Sequence, residues 1–116
     1  MRRAYHAVIG LVAVVVLVQA VMAGQSDRLF GDLDITLHGV LGNVVFALGL
    51  VAVGLAVAAR AGRSVVVTTV VLAVLLTIQV GLGYSGRTSL SAAAWHIPNG
   101  VAIFGLLMYN LASAPR

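Results

Sequence analysis

The stretch "LHGVLGNVVFALGL" (residues 37–50) is a long apolar run with a histidine near its start. A second stretch, "WHIPNGVAIFGLLM" (residues 95–108), repeats this arrangement with His96 in the place of His38. In both stretches glycine follows the histidine after four residues, and a β-branched residue and phenylalanine follow after seven and eight. Those offsets lie on one face of a helix. The pattern therefore predicts two long apolar helices, each with a titratable ring near one end.

The composition indicates a membrane protein. The 116 residues are 61% hydrophobic and 9% charged, with a mean hydropathy of +1.10. A soluble domain of this size carries far more charge. The absence of cysteine excludes disulfides, thiolate metal sites and cysteine nucleophiles. The basic balance comes from arginines at the ends of apolar segments, which indicates membrane topology rather than nucleic-acid binding.

Four apolar stretches reach the length of about 20 residues that a membrane helix needs. They are residues 4–24, 36–59, 64–83 and 92–112. Short connections make consecutive helices antiparallel neighbours. The predicted fold class is therefore all-α, an integral membrane four-helix bundle formed by a single transmembrane domain over residues 1–116. A cleavable signal peptide is the alternative for the first stretch, but its full spanning length and the repeat described below favour a retained helix.

The arginines predict the orientation of the helices in the membrane. Five arginines fall on the side that holds both chain ends, and two fall on the opposite side together with three aspartates. The positive-inside rule then predicts a multi-pass protein of the cell membrane with both termini in the cytoplasm. The five are Arg2, Arg3, Arg60, Arg63 and Arg116; the two are Arg28 and Arg87.

The sequence also predicts that the chain contains an internal duplication. The second and fourth helices match at an offset of 58 residues, and the first and third match at an offset of 60. Two parallel two-helix repeats would be related by a pseudo-two-fold axis along the membrane normal. The matched pairs are His38 with His96, Gly42 with Gly100, Val45 with Ile103, Phe46 with Phe104, and Gln19 with Gln79.

Two matched histidines on opposite sides of a bundle core predict a cofactor site near the outer leaflet. A b-type haem fits, because neutral imidazoles supply its two axial ligands. We expect His38 and His96 to bind the iron, and the other candidate residues to surround the macrocycle. Gly42 and Gly100 would leave room for the macrocycle, and Phe46 and Phe104 would pack on its edges. Arg28 and Arg87 would pair with its propionates. Gln19 and Gln79 would be hydrogen-bond partners or line the pocket.

Each of these residues also has a simpler interpretation. The glycines allow close helix packing, and the phenylalanines fill the core. The glutamines, with Asn43 and Asn99, form interhelical hydrogen bonds, and the arginines are solvated loop charges. His6 has no partner in the repeat and is interpreted as an interface residue. A zinc site is not supported, since zinc needs three or four ligands.

The sequence resembles one four-helix half of the haem A synthase family. The resemblance rests on "LHGVLGNVVFALGLV", on "QVGLG" (residues 79–83) and on "WHIPNGVA", and spans roughly residues 35–112. It implies that His38 and His96 ligate a b-type haem. This chain lacks the glutamate of the family's substrate half, the loop cysteine pair of many bacterial members, and a second half. It also resembles small four-helix actinobacterial membrane proteins of unknown function.

Three functions remain open from the sequence. The first is a haem-binding membrane protein for electron transfer or haem handling, which is not itself an enzyme. With one haem near one face, it would need a redox partner, a quinone or a second haem, for example in a homodimer or a larger membrane complex. The second is a haem-free structural or assembly subunit. The third is a half-size, dimeric haem-modifying enzyme of the haem A synthase type.

Overall fold

Four long helices make up a computed structural model of the chain, which describes residues 1–25 and 33–114. Each helix is long and apolar enough to cross a membrane, so the chain is a multi-pass membrane protein. The bundle measures 43 Å along its longest axis, which exceeds the hydrocarbon thickness of about 30 Å. The helices are α1 (Arg2–Gln25), α2 (Leu33–Ala58), α3 (Arg63–Ser85) and α4 (Leu90–Ser113).

The helices pack in chain order around a closed ring. Each helix contacts its two neighbours, and α1 packs less closely against α4 than the other adjacent pairs do. Within the described residues, α2 and α4 therefore face each other across one diagonal, and α1 and α3 across the other. The predicted all-α four-helix bundle is confirmed. One end of the bundle holds His38 and His96, and we call it the histidine end.

The turn between α2 and α3 explains why the chain can reverse in so few residues. The amide of Ala61 donates to the carbonyl of Ala56, and the amide of Arg60 donates to that of Val57. This is the hydrogen-bond pattern of a Schellman motif, with Arg60 in the left-handed conformation at φ 51°. Gly62 follows at φ 83°, a conformation that glycine adopts without a steric penalty.

Small side chains allow the helices to pack closely in the absence of a hydrophobic driving force within lipid. On α2, Gly49, Ala52 and Ala56 follow one another at helical spacing and are all buried. A β-carbon on Gly49 would collide with the side chain of Leu76 on α3. The α2–α3 contact therefore depends on the missing side chain at position 49.

A buried polar cluster joins the helices at the end of the bundle opposite the histidines. The hydroxyl of Tyr5 lies 2.8 Å from that of Thr69, which joins α1 to α3 across the diagonal. The hydroxyl of Thr68 donates to the side-chain oxygen of Asn110 on α4 at 2.6 Å. Tyr5, Thr69 and Asn110 are almost fully buried. This end of the bundle is therefore closed by interhelical hydrogen bonds.

Candidate functional site

His38 and His96 meet across the α2–α4 diagonal at the histidine end. Their ring centres lie 6.0 Å apart, with an angle of 55° between the ring planes. Both side chains are half-buried. Each ring lies within the first two turns of its helix, and α2 and α4 are parallel, so the two rings reach the same depth in the bundle. The fold thus brings together the two histidines that the sequence singled out.

His96 is held by a chain of hydrogen bonds. The amide nitrogen of Gln79 on α3 lies 3.2 Å from the Nε2 atom of the ring. Asn99 donates to the amide oxygen of Gln79 at 2.7 Å and to the carbonyl of Leu75 at 3.0 Å. Because an amide nitrogen can only donate, Nε2 of His96 accepts the hydrogen bond and is unprotonated.

The other edge of the His96 ring rests on Gly83, one helical turn from Gln79. A β-carbon on Gly83 would lie 3.2 Å from Cε1 of the ring and 3.6 Å from Nδ1. Nδ1 is buried and has no hydrogen-bond partner within the described part of the chain. A buried polar atom without a partner is uncommon and costly. The protein side chains therefore satisfy only one of the two ring nitrogens of His96.

His38 is held differently from His96. Gln19 on α1 donates to the backbone carbonyl of His38 at 3.0 Å, whereas Gln79 engages the ring of His96. The two glutamines are thus interhelical hydrogen-bonders, as one interpretation of the sequence predicted. They leave the ring of His38 less restrained than the ring of His96.

The glycines one turn inside each histidine accommodate those glutamines. A β-carbon on Gly42 would lie 3.4 Å from the amide nitrogen of Gln19. A β-carbon on Gly100 would lie 3.2 Å from the amide nitrogen of Gln79. Both glycines also line the cavity that surrounds the two histidine rings, which is described next. Their small size therefore serves helix and side-chain packing, and it also widens the space beside the histidines.

A cavity of about 570 Å³ surrounds the two rings. This volume lies within the range of about 300–1,000 Å³ that is typical of small-molecule sites. All four helices contribute to its wall, which is largely apolar. Val45, Leu76 and Ile103 are buried and form its inner limit. The polar residues of the wall are Gln19, His38, Asn43, Gln79, Tyr84, Arg87 and His96.

The α2–α3 side of the cavity is closed by a polar contact. The side-chain amide of Asn43 donates to the hydroxyl of Tyr84 at 2.9 Å. The guanidinium of Arg87 lies over the Tyr84 ring, 5.0 Å from its centre, where a cation is attracted to the aromatic face. We call Asn43, Tyr84 and Arg87 the polar latch.

The remaining predicted site residues are placed as follows. Phe104 lines the cavity, whereas Phe46 is partly buried and packs against the core of the bundle. Arg87 lines the cavity beside Gly39. Arg28 lies outside the described residues. His6 lies at the opposite end, where its Nδ1 atom pairs with the carbonyl of Arg2.

Sequence reasoning did not assign a role to Gly83, and it predicted an interhelical hydrogen bond for Asn43 without naming Tyr84 as its partner. Gly83 ends the element "QVGLG" on which the family resemblance partly rests, but only the fold shows that it supports a ring from another helix. Tyr84 directly follows the third apolar stretch of the sequence, where a membrane-interface aromatic is expected. Its pairing with Asn43 depends on the packing of α2 against α3.

The donor set limits the cofactors that the site can hold. Within the described residues, no group of three or more histidine, cysteine, aspartate or glutamate side chains is placed to hold a metal ion. The two described imidazoles fall short of the three or four ligands that zinc needs. The site offers two imidazoles to a group that carries its remaining ligands itself.

Comparisons with protein-family models, with curated proteins and with solved structures find no match to this chain.

Proposed function

We propose that the chain binds one b-type haem between His38 and His96 and serves electron transfer or haem handling. The observation that carries the proposal is the separation of 6.0 Å between the two ring centres. Two imidazoles that share a metal through nitrogens about 2 Å away have ring centres roughly 6 Å apart. This geometry supports axial ligation without a large movement of either helix.

The surrounding residues support the same proposal. The unprotonated Nε2 atom of His96 carries the lone pair that a metal would take, so ligation through Nε2 would replace the hydrogen bond from Gln79. A haem held between two imidazoles supplies one-electron chemistry. Arg87 offers a cation for its acidic groups.

We infer that the bundle consists of two repeats related by a pseudo-two-fold axis along the membrane normal. The matched contacts support this inference. Gln19 lies against Gly42, and their counterparts Gln79 and Gly100 make the same contact in the other half. The resemblance to one half of a haem A synthase points to the same ligand pair. The missing glutamate argues against oxidation of the haem by this chain.

The arginine distribution supports an orientation with both termini in the cytoplasm. The cysteine-free sequence makes this testable with single cysteines. A cysteine introduced at Thr88, between α3 and α4, is expected to react in intact cells with a membrane-impermeant maleimide. A cysteine introduced at Gly62 is expected to react only after lysis. The reverse pattern would overturn the orientation.

The haem proposal is tested by the absorption spectrum of the purified protein, expressed with a haem supply. Dithionite reduction is expected to give the sharp α band of a low-spin, bis-imidazole haem. His38→Ala and His96→Ala are each expected to abolish that band, whereas His6→Ala serves as the control and is expected to retain it. A folded, colourless wild-type protein would instead support the haem-free assembly subunit.

A haem near one end of the bundle cannot by itself carry electrons across the membrane. The proposed site lies at the histidine end, and the opposite end is closed by the Tyr5–Thr69 contact. We therefore propose that a redox partner, a quinone or a second haem completes the electron path. A homodimer or a larger membrane complex would supply the second haem.

A further inference from the structure

On the α1–α4 side the cavity wall includes exposed apolar residues, and we call this side the opening. Several residues that line the cavity are also exposed on the outer surface of these two helices. Leu17 is 50% exposed, Ile97 is 71% exposed and Val101 is 70% exposed. All three lie within the candidate membrane spans. The opening therefore faces the region that lipid acyl chains occupy.

Among the residues that the structure describes, no polar side-chain contact closes this opening. Within the described residues, side-chain hydrogen bonds join α1 to α2, α2 to α3 and α3 to α4, but none joins α1 to α4. The α1–α4 pair is also the most loosely packed of the four. By contrast, the Asn43–Tyr84 pair of the polar latch bridges α2 and α3.

The proposed repeat identifies which residues differ between the α2–α3 side and the α1–α4 side of the cavity. The offset of 58 residues places Val101 in the position of Asn43, and the offset of 60 residues places Gly24 in the position of Tyr84. A β-carbon on Gly24 would meet no atom within 4 Å. The two residues that close the α2–α3 side are thus replaced on the α1–α4 side by an apolar residue and by a residue without a side chain.

We propose that the cavity takes up its ligand sideways from the bilayer, through the opening between α1 and α4. The wall and the opening select a molecule with a large apolar body that dissolves in the membrane. Arg87, at the far side of the cavity, suits an acidic group on that molecule. The identity of the ligand as haem rests on the proposed function, whereas the route rests on the opening alone.

The first experiment measures the rate of haemin transfer from donor vesicles to the protein in proteoliposomes. Gly24→Tyr combined with Val101→Asn copies the Asn43–Tyr84 contact into the opening. This double variant is expected to take up haemin several-fold more slowly than wild type, with the same final spectrum. An unchanged rate, with the final spectrum intact, would overturn the route while leaving the proposed function standing.

A matched pair of variants controls for added bulk. Leu17 lines the cavity, whereas Leu11 on the same helix does not, and the two are almost equally exposed, at 50% and 51%. Leu17→Trp is expected to slow uptake, and Leu11→Trp is expected to leave it at the wild-type rate. Equal slowing by the two variants would mean that bulk anywhere on α1 interferes, and that result would also overturn the route.

A second measurement needs no haem and therefore separates the two proposals. In a Trp95→Phe background, Phe104→Trp places a fluorophore in the cavity wall, and Phe46→Trp places one at the matched position away from the cavity. Lipids with brominated acyl chains are expected to quench the first fluorophore much more strongly than the second. Equal quenching would overturn lipid access. Strong quenching in a protein that refuses haemin would retain the route and reject the haem.

Discussion

Replacing Gly83 with alanine tests whether α3 supports the His96 ring. The added methyl group would lie 3.2 Å from Cε1 of His96, closer than ordinary carbon contacts allow. The ring must retreat from α3 by a few tenths of an ångström. Its hydrogen bond to Gln79 is already 3.2 Å long, so this movement weakens that bond.

The expected cost combines steric strain with the weakened hydrogen bond. Crowding at a packed site costs roughly 1 kcal/mol or more, and a side-chain hydrogen bond in a membrane bundle contributes about 0.6 kcal/mol. The higher helix propensity of alanine offsets up to about 1 kcal/mol of this loss of stability. Gly81→Ala measures the offset alone, because a β-carbon on Gly81 meets no atom within 4 Å.

The assay compares the unfolding free energies of the two variants in the same detergent. Gly83→Ala is expected to be less stable than Gly81→Ala by about 1–2 kcal/mol. Equal stability of the two variants would refute the contact between Gly83 and His96.

Three further predictions concern the packing of the bundle. Gln79→Leu is expected to destabilise the protein by about 1.2 kcal/mol and Gln19→Leu by about 0.6 kcal/mol, because Gln79 bonds to two side chains and Gln19 to one carbonyl; equal losses of unfolding free energy would contradict this assignment. Tyr5→Phe removes the buried contact with Thr69 and is expected to cost about 0.5–1.5 kcal/mol, whereas Tyr109→Phe, at an exposed tyrosine, is expected to cost much less in the same denaturation assay. Gly49→Ala drives a β-carbon into Leu76 and is expected to cost about 1–3 kcal/mol, while Gly54→Ala, in open space on the same helix, is expected to be neutral or stabilising; a Gly49→Ala protein as stable as Gly54→Ala would show that α2 and α3 are not in close contact.

The sequence was sufficient to predict the four helices, because their apolar length and the short connections leave few alternatives. The matched spacing of His38 and His96 predicted that the rings lie at the same depth, and the fold brings them together. Positions along a helix determine depth directly, since each residue adds a fixed rise. Depth and pairing were therefore readable from residue spacing alone.

The contacts that each side chain makes around its helix could not be predicted from residue spacing. Gln19 and Gln79 occupy equivalent positions, yet one bonds to a backbone carbonyl and the other to a ring. Phe46 and Phe104 also match in sequence, but only Phe104 lines the cavity. These differences depend on helix rotation and on neighbouring side chains, which are set by packing rather than by spacing.

The central claim is that His38 and His96 together bind one haem. The most direct measurement is a haemin titration of the purified protein, followed by absorbance, for wild type and for the His38→Ala/His96→Ala double variant. Wild type is expected to saturate at one haem per chain with a bis-imidazole spectrum. The double variant is expected to remain folded and to show no saturable binding. Saturation of the double variant at the same stoichiometry, or a folded wild-type protein that binds no haemin, would contradict the claim.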